Sequence, residues 1–210
     1  MQKTTNIRKL ALIAMLGALA AALHTFRFPL PFAPSFLDFD IAELPGLFAG
    51  FFLGPVAGTM VVMVKIGLKL LLQGTNTAFV GDFSNFFQSL MFMLPAALIY
   101  KKMHSKKGAI IGMITGTLVA SVFAIFSNTF VLFPMYSELY GLPMDVIIGM
   151  GSAVNPFVHD MFRMMVFSIF PFNLVKCGTT SILTYLIYKR VGNTLRNMVA
   201  PKNPSAQPAK

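Results

Sequence analysis

Charge, cysteine and catalytic motifs are all scarce in this chain, and each shortage narrows what it can be. Only 11% of its 210 residues are charged while 56% are hydrophobic, which is too apolar for an ordinary soluble domain. The single Cys177 excludes an internal disulfide and any cysteine-based metal site. Beside Lys176 in a predicted helix, it reads as a small packing residue. No Walker A loop, HExxH, GxSxG or paired CxxC occurs, so nucleotide hydrolysis and the familiar catalytic centres are absent. A solute moved uphill by this chain must therefore draw energy from an ion gradient or from a partner.

Long uncharged runs stand in place of those motifs. Thirty residues from Gly108 to Ser137 and eighteen from Phe83 to Tyr100 carry no charge, lengths that read as bilayer spans. A basic start and Ala20-Ala21-Ala22 give the first apolar run some likeness to a cleavable signal peptide. The further spans favour its retention as a first membrane helix. The formal net charge of +10 does not indicate nucleic acid, because the basic residues follow span ends and do not gather on one soluble element.

The seven acidic residues, Asp38, Asp40, Glu43, Asp82, Glu138, Asp145 and Asp160, fall in segments assigned to one membrane face. Twelve of the seventeen basic residues fall near the other: Lys3, Arg8, Lys9, Lys101, Lys102, Lys106, Lys107, Lys189, Arg190, Arg196, Lys202 and Lys210. Lysine and arginine flanking spans mark the cytoplasmic side. Residues 1–9 and 101–107 then share a side, and an even number of crossings must separate them. Leu44–Leu72 is therefore two helices, broken at Gly54-Pro55, each short for a span and expected to be tilted or partial. Apolar segments near 10–27, 44–53, 56–72, 83–100, 108–134 and 171–190 give an all-α polytopic membrane protein with six transmembrane helices and both termini inside. Residues 1–200 are expected to form this single domain, with 201–210 a disordered cytoplasmic tail.

The last span has two readings: one helix over Met161–Tyr188, or a helix starting at Pro171, a favoured first helical position. The second fits the bilayer better. It leaves 144–170 as an outer loop with an interfacial helix carrying Asp160 and Arg163, and Lys176 within about two turns of the outer surface. No acid is then expected within a span. An intramembrane carboxylate or an internal repeat would favour a stand-alone ion-coupled carrier.

Five basic residues remain unexplained by topology: Arg27, Lys65, Lys69, Arg163 and Lys176. A membrane lysine faces a cavity or a partner. With Asn173 three residues earlier on the same face, Lys176 suits a carbonyl–NH–carbonyl edge; otherwise it snorkels outward or pairs with Asp160. Asn128 is either interhelical glue or a ligand group. Lys65 and Lys69, one turn apart, are read as structural partners of Asp40, Glu43 or Asp82, with a direct site role as the alternative. The proline-rich segment Phe28–Glu43 is either a stiff lid or an ordinary connection. Ala14-Met-Leu-Gly-Ala18 and Ala18-Leu-Ala-Ala-Ala22 put small residues four apart, where another helix can approach closely.

Several of these stretches carry a resemblance: Ala14-Met-Leu-Gly-Ala18, Phe36-Leu-Asp-Phe-Asp40 to Leu44-Pro45, and Gly50-Phe-Phe-Leu-Gly-Pro-Val-Ala-Gly58. To these add Gly74-Thr-Asn-Thr-Ala78 with Gly81 and Asn85, Asn128 before Phe133-Pro-Met-Tyr136, and Pro171-Phe-Asn-Leu-Val-Lys176. Over residues 7–192 the chain resembles the substrate-binding S components of energy-coupling factor (ECF) vitamin transporters, most closely the riboflavin-specific type. The resemblance implies a six-helix bundle whose outward cavity is closed by the first outer loop. It implies Asn128, Asn173 and Lys176 as polar ligands of riboflavin, Leu37 and Phe39 as ring-packing residues, and Ala14 and Ala18 as the contact for a membrane coupling protein that carries two ABC-type ATPase subunits. The loaded component would topple in a bacterial plasma membrane to deliver the vitamin inward. No catalytic residue, metal or resident cofactor is expected. Another vitamin on the same scaffold is the nearest alternative, since fold does not fix ligand.

Overall fold

The computed structural model describes residues 2–199; the expected tail from Pro201 lies outside them. Helix α1 (Gln2–Thr25) leads into an outer segment containing a two-stranded antiparallel hairpin, β1 (Phe28–Pro29) and β2 (Asp38–Phe39). Helices α2 (Glu43–Phe52), α3 (Pro55–Gln73), α4 (Val80–Met103) and α5 (Lys106–Ser127) follow. A wide π turn (Asn128–Leu132) joins α5 to α6 (Phe133–Tyr140), and α7 (Met144–Ser152) lies beyond. Finally α8 (Met161–Met164), a second π turn (Met165–Ile169) and α9 (Phe170–Val199) run on as one rod.

Five of these rods are long and apolar enough to cross a membrane: Asn6–Thr25, Pro55–Gln73, Val80–Met103, Lys106–Tyr140 and Met161–Gly192. The ten-residue α2 is only about 15 Å long; it is the partial sixth helix, almost wholly buried inside the bundle. Gly54 makes the break between α2 and α3 with φ of 102° and open space where a Cβ would stand, a conformation that L side chains rarely adopt. Pro55 then starts α3, where its missing N–H costs nothing.

Helices α4 and α5 pack antiparallel in a register set by glycine. A Cβ on Gly112 would meet Ala96 O at 2.6 Å, and one on Gly116 would collide with Phe92 O. Gly112, Gly116 and Ala120 thus face Ala96, Phe92 and Gln88 at equal steps of four residues, each pair summing to 208. Bare backbone at these points brings the helices close enough for polar contacts between them.

Two expectations need correction. The final helix does not begin at Pro171 but at Met161, where Asp160 caps it by accepting from Arg163 N at 2.8 Å. Pro171 cannot donate to Phe167 O; the chain widens into the π turn there, and Asn155 Nδ2 donates to that carbonyl at 3.0 Å. Lys176 consequently stands fifteen residues into the rod (176 − 161), about four turns. Nor are the spans free of acid. Glu43 and Asp82 lie in the first turns of α2 and α4 and are both buried, because these helices start earlier than the apolar runs suggest.

Candidate functional site

The outer half of the bundle encloses a cavity of about 680 Å³ roofed by the first outer segment. Its wall takes Leu37, Asp38 and Asp40 from that segment, Asn85 and Gln88 from α4, Asn128 from the first π turn, and Asn173 and Lys176 from α9. Of the residues singled out above, Leu37, Asn128, Asn173 and Lys176 therefore share one cavity. Phe39 stands apart: it pairs with Phe28 across the hairpin, ring centroids 5.4 Å apart. The aromatic lining includes Phe36 and Phe133, in edge contact at 5.7 Å, together with Phe92, Tyr136, Tyr140 and Phe172. A two-residue strand turns consecutive side chains to opposite faces, and the pairing with Phe28 decides which face Phe39 takes.

The two asparagines are held alike. Asn128 Nδ2 donates to Ala124 O at 2.7 Å, and Asn173 Nδ2 donates to Ile169 O at 2.8 Å. Asn128 opens the first π turn and Asn173 lies one helical turn beyond the second, local widenings of a kind often found at functional sites. Gln88 Nε2 reaches across from α4 to Asn173 Oδ1 and Ala120 O, each at 2.9 Å.

Three pairs neutralise the buried Lys65 and Lys69 and the half-buried Lys176. Lys65 Nζ lies 2.6 Å from Glu43 Oε1 and donates to Ser89 Oγ at 2.8 Å. Lys69 Nζ lies 2.6 Å from Asp82 Oδ1 and donates to Gly74 O at 2.9 Å. Each of these two lysines thus has an acidic partner, Glu43 for Lys65 and Asp82 for Lys69, and Lys69 also lines the cavity. Lys176 pairs not with Asp160 but with Asp40 at 2.9 Å, and also donates to Asp38 O at 3.3 Å. Asp160 is occupied by Arg163 instead. The roof is thereby tethered to α9 through Asp40, whose carboxylate also accepts from Ala42 N at 2.9 Å and meets His24 Nδ1 at 3.2 Å. Sequence spacing alone did not single out His24, Gln88 or Ser89; the Gly108-x3-Gly112-x3-Gly116-x3-Ala120 stripe is the one linear signal that leads to Gln88.

Burial by itself would raise the Asp40 carboxyl, but the Lys176 ammonium and then His24 outweigh it and hold the group well below the usual carboxylate range. A depressed folded-state pKa stabilises the fold above the unfolded value of about 3.9, and that contribution is lost as pH falls below it towards the folded value. Melting temperature in detergent should therefore drop below about pH 4, and Asp40→Asn should drop less over the same range. Equal acid sensitivity in both proteins would assign the loss to other carboxylates.

The family profile described as "ECF transporter, substrate-specific component" matches residues 8–188. The chain is 35% identical over 191 residues to the riboflavin transporter RibU of Staphylococcus aureus (strain TCH60), covering 91% of this chain and 94% of that protein. It is 28% identical over 184 residues to the riboflavin transporter FmnP of Bacillus subtilis (strain 168), covering 87% and 91%. A solved structure described as the S component of a bacterial ECF transporter superposes with a TM-score of 0.70 at 34% identity, over 91% of this chain and 99% of that one. These relatives are transporters and not enzymes, and the five span-capable helices of this chain agree with a multi-pass membrane protein. The chain belongs to the family of substrate-specific components of ECF transporters.

Proposed function

We propose that this chain captures riboflavin from the outside of a bacterial plasma membrane and delivers it inward with an ECF coupling module. The observation that carries the reading is the shared cavity of Asn128, Asn173 and Lys176, with Leu37, Phe36 and Phe133 on the same lining. Flavin has a carbonyl–NH–carbonyl edge that suits amide and ammonium groups, and a dimethylbenzene end that suits aliphatic and aromatic contacts. Every cation on the lining already has a carboxylate within salt-bridge range, Arg27 with Asp38 at 3.4 Å included, which favours a neutral ligand. The names of the two relatives support the same ligand.

Ala14 and Ala18 lie on the exposed side of α1, beside a shallow apolar groove formed with Met60, Met63 and Val64. Among the described residues no helix covers that side, and its small residues permit close approach. It is the surface proposed for the membrane coupling protein, with two ABC-type ATPase subunits behind it.

Protein purified in detergent from cells fed riboflavin is expected to be yellow, with flavin fluorescence quenched. Colourless protein that also leaves added riboflavin unquenched would move the ligand to another vitamin. Uptake should stop when the ATPase subunits are absent; uptake persisting without them would refute the coupled mechanism.

A further inference from the structure

We infer that Gln88 is a positioning residue that fixes how Asn173 presents its amide to the ligand, an assignment that rests on the flavin reading above. Gln88 reaches the cavity because of the glycine register: Ala96 against Gly112 and Phe92 against Gly116 bring α4 so close to α5 that the next step sets Gln88 against Ala120. From there its side chain spans three helices.

The hydrogen bonds along this path have one consistent polarity. Ala120 O can only accept, so Gln88 must turn Nε2 towards it, at 2.9 Å. The second Nε2 proton then donates to Asn173, which must offer Oδ1, also at 2.9 Å. Asn173 Nδ2 is thereby turned to Ile169 O, a second group that can only accept, at 2.8 Å. Flipping the Asn173 amide would set donor against donor at Gln88 and oxygen against oxygen at Ile169. A backbone carbonyl at each end thus excludes the other orientation, and Asn173 keeps one Nδ2 proton and one Oδ1 lone pair in fixed directions.

This has a consequence for specificity. A planar ligand edge must set its acceptor and donor against an amide that cannot turn. Asn128 has no such second anchor: its Nδ2 is held on Ala124 O, and its Oδ1 has no hydrogen-bond partner among the described residues. Between Asn128 and Asn173, Asn173 is the rigid one, and Gln88 is the reason.

Riboflavin dissociation constants, read by fluorescence quenching, test this on wild type, Gln88→Met, Asn173→Ala and the double variant. Gln88→Met should weaken binding about 5- to 100-fold, and the double variant should be no weaker than Asn173→Ala alone, since Gln88 acts through Asn173. Preference for riboflavin over N3-methylriboflavin should narrow in Gln88→Met, a change that simple loosening of the bundle would not cause. If Gln88→Met does not fold, Gln88→Asn, one methylene too short to reach both partners, is read in the same way. An unchanged constant in the single variant, or losses that multiply in the double, would overturn the assignment. A wild-type chain that binds no flavin removes the underlying reading and this assignment with it.

Discussion

Lys65→Met is expected to lower the melting temperature of the detergent-solubilised protein by about 10 °C, more than any other single change proposed here. Lys65 is almost wholly buried, and its ammonium is the cation closest to Glu43, at 2.6 Å. Glu43 Oε1 also accepts from Ser89 at 2.7 Å, while Glu43 Oε2 has no hydrogen-bond partner among the described residues. Removing the lysine leaves a buried carboxylate held by one hydroxyl, and breaking such a pair costs about 3–5 kcal/mol. Glu43→Gln combined with Lys65→Met should recover most of the loss, because the cost comes from the stranded charge and not from the missing contact. A single variant that melts within about 2 °C of wild type would mean that water or another cation already compensates Glu43.

Lys176→Met should weaken riboflavin binding about 10- to 150-fold, the range for losing one hydrogen bond to a charged group. The change acts twice. It removes a cationic donor from the wall shared with Asn128 and Asn173, and it cuts the tether from α9 to Asp40 and Asp38 in the roof. Asp40 keeps His24 and the Ala42 amide, so the roof should retain its fold while opening more often. Stopped-flow measurements should accordingly place most of the loss in the dissociation rate. A variant with unchanged affinity would take Lys176 out of the ligand contacts and leave it as a roof tether. Asp40→Asn separates the two effects, since it removes the ion pair from the tether, leaving the Asp38 carbonyl contact, and keeps the ammonium.

Much of the architecture could be read along the chain. Acids at one face and twelve basic residues at the other require both termini inside, and parity then demands the break that Gly54-Pro55 makes. The start of the last helix was not legible. Pro171 has the properties of a first helical residue, and only the distant amide of Asn155 satisfies the carbonyl it leaves open. Lys176 stands out because a lysine in an apolar run needs a partner, yet sequence position points it to Asp160 and offers Asp40 only to Lys65 and Lys69. The roof's path over the cavity chose Asp40. Phe36 lies in the turn before β2 and Phe39 within β2, and local sequence does not set the hairpin register that pairs Phe39 with Phe28 when each strand has two residues.

Sequence by itself determined the apolar spans, the break at Gly54-Pro55 and the pair Asn173 and Lys176, because those follow from local hydropathy, charge and spacing along one helix. Tertiary structure decided which carboxylate meets which lysine, which aromatic lines the cavity and how Gln88 holds Asn173. Each of those joins residues 13 to 136 positions apart, where direction and distance depend on how helices pack and not on any one segment.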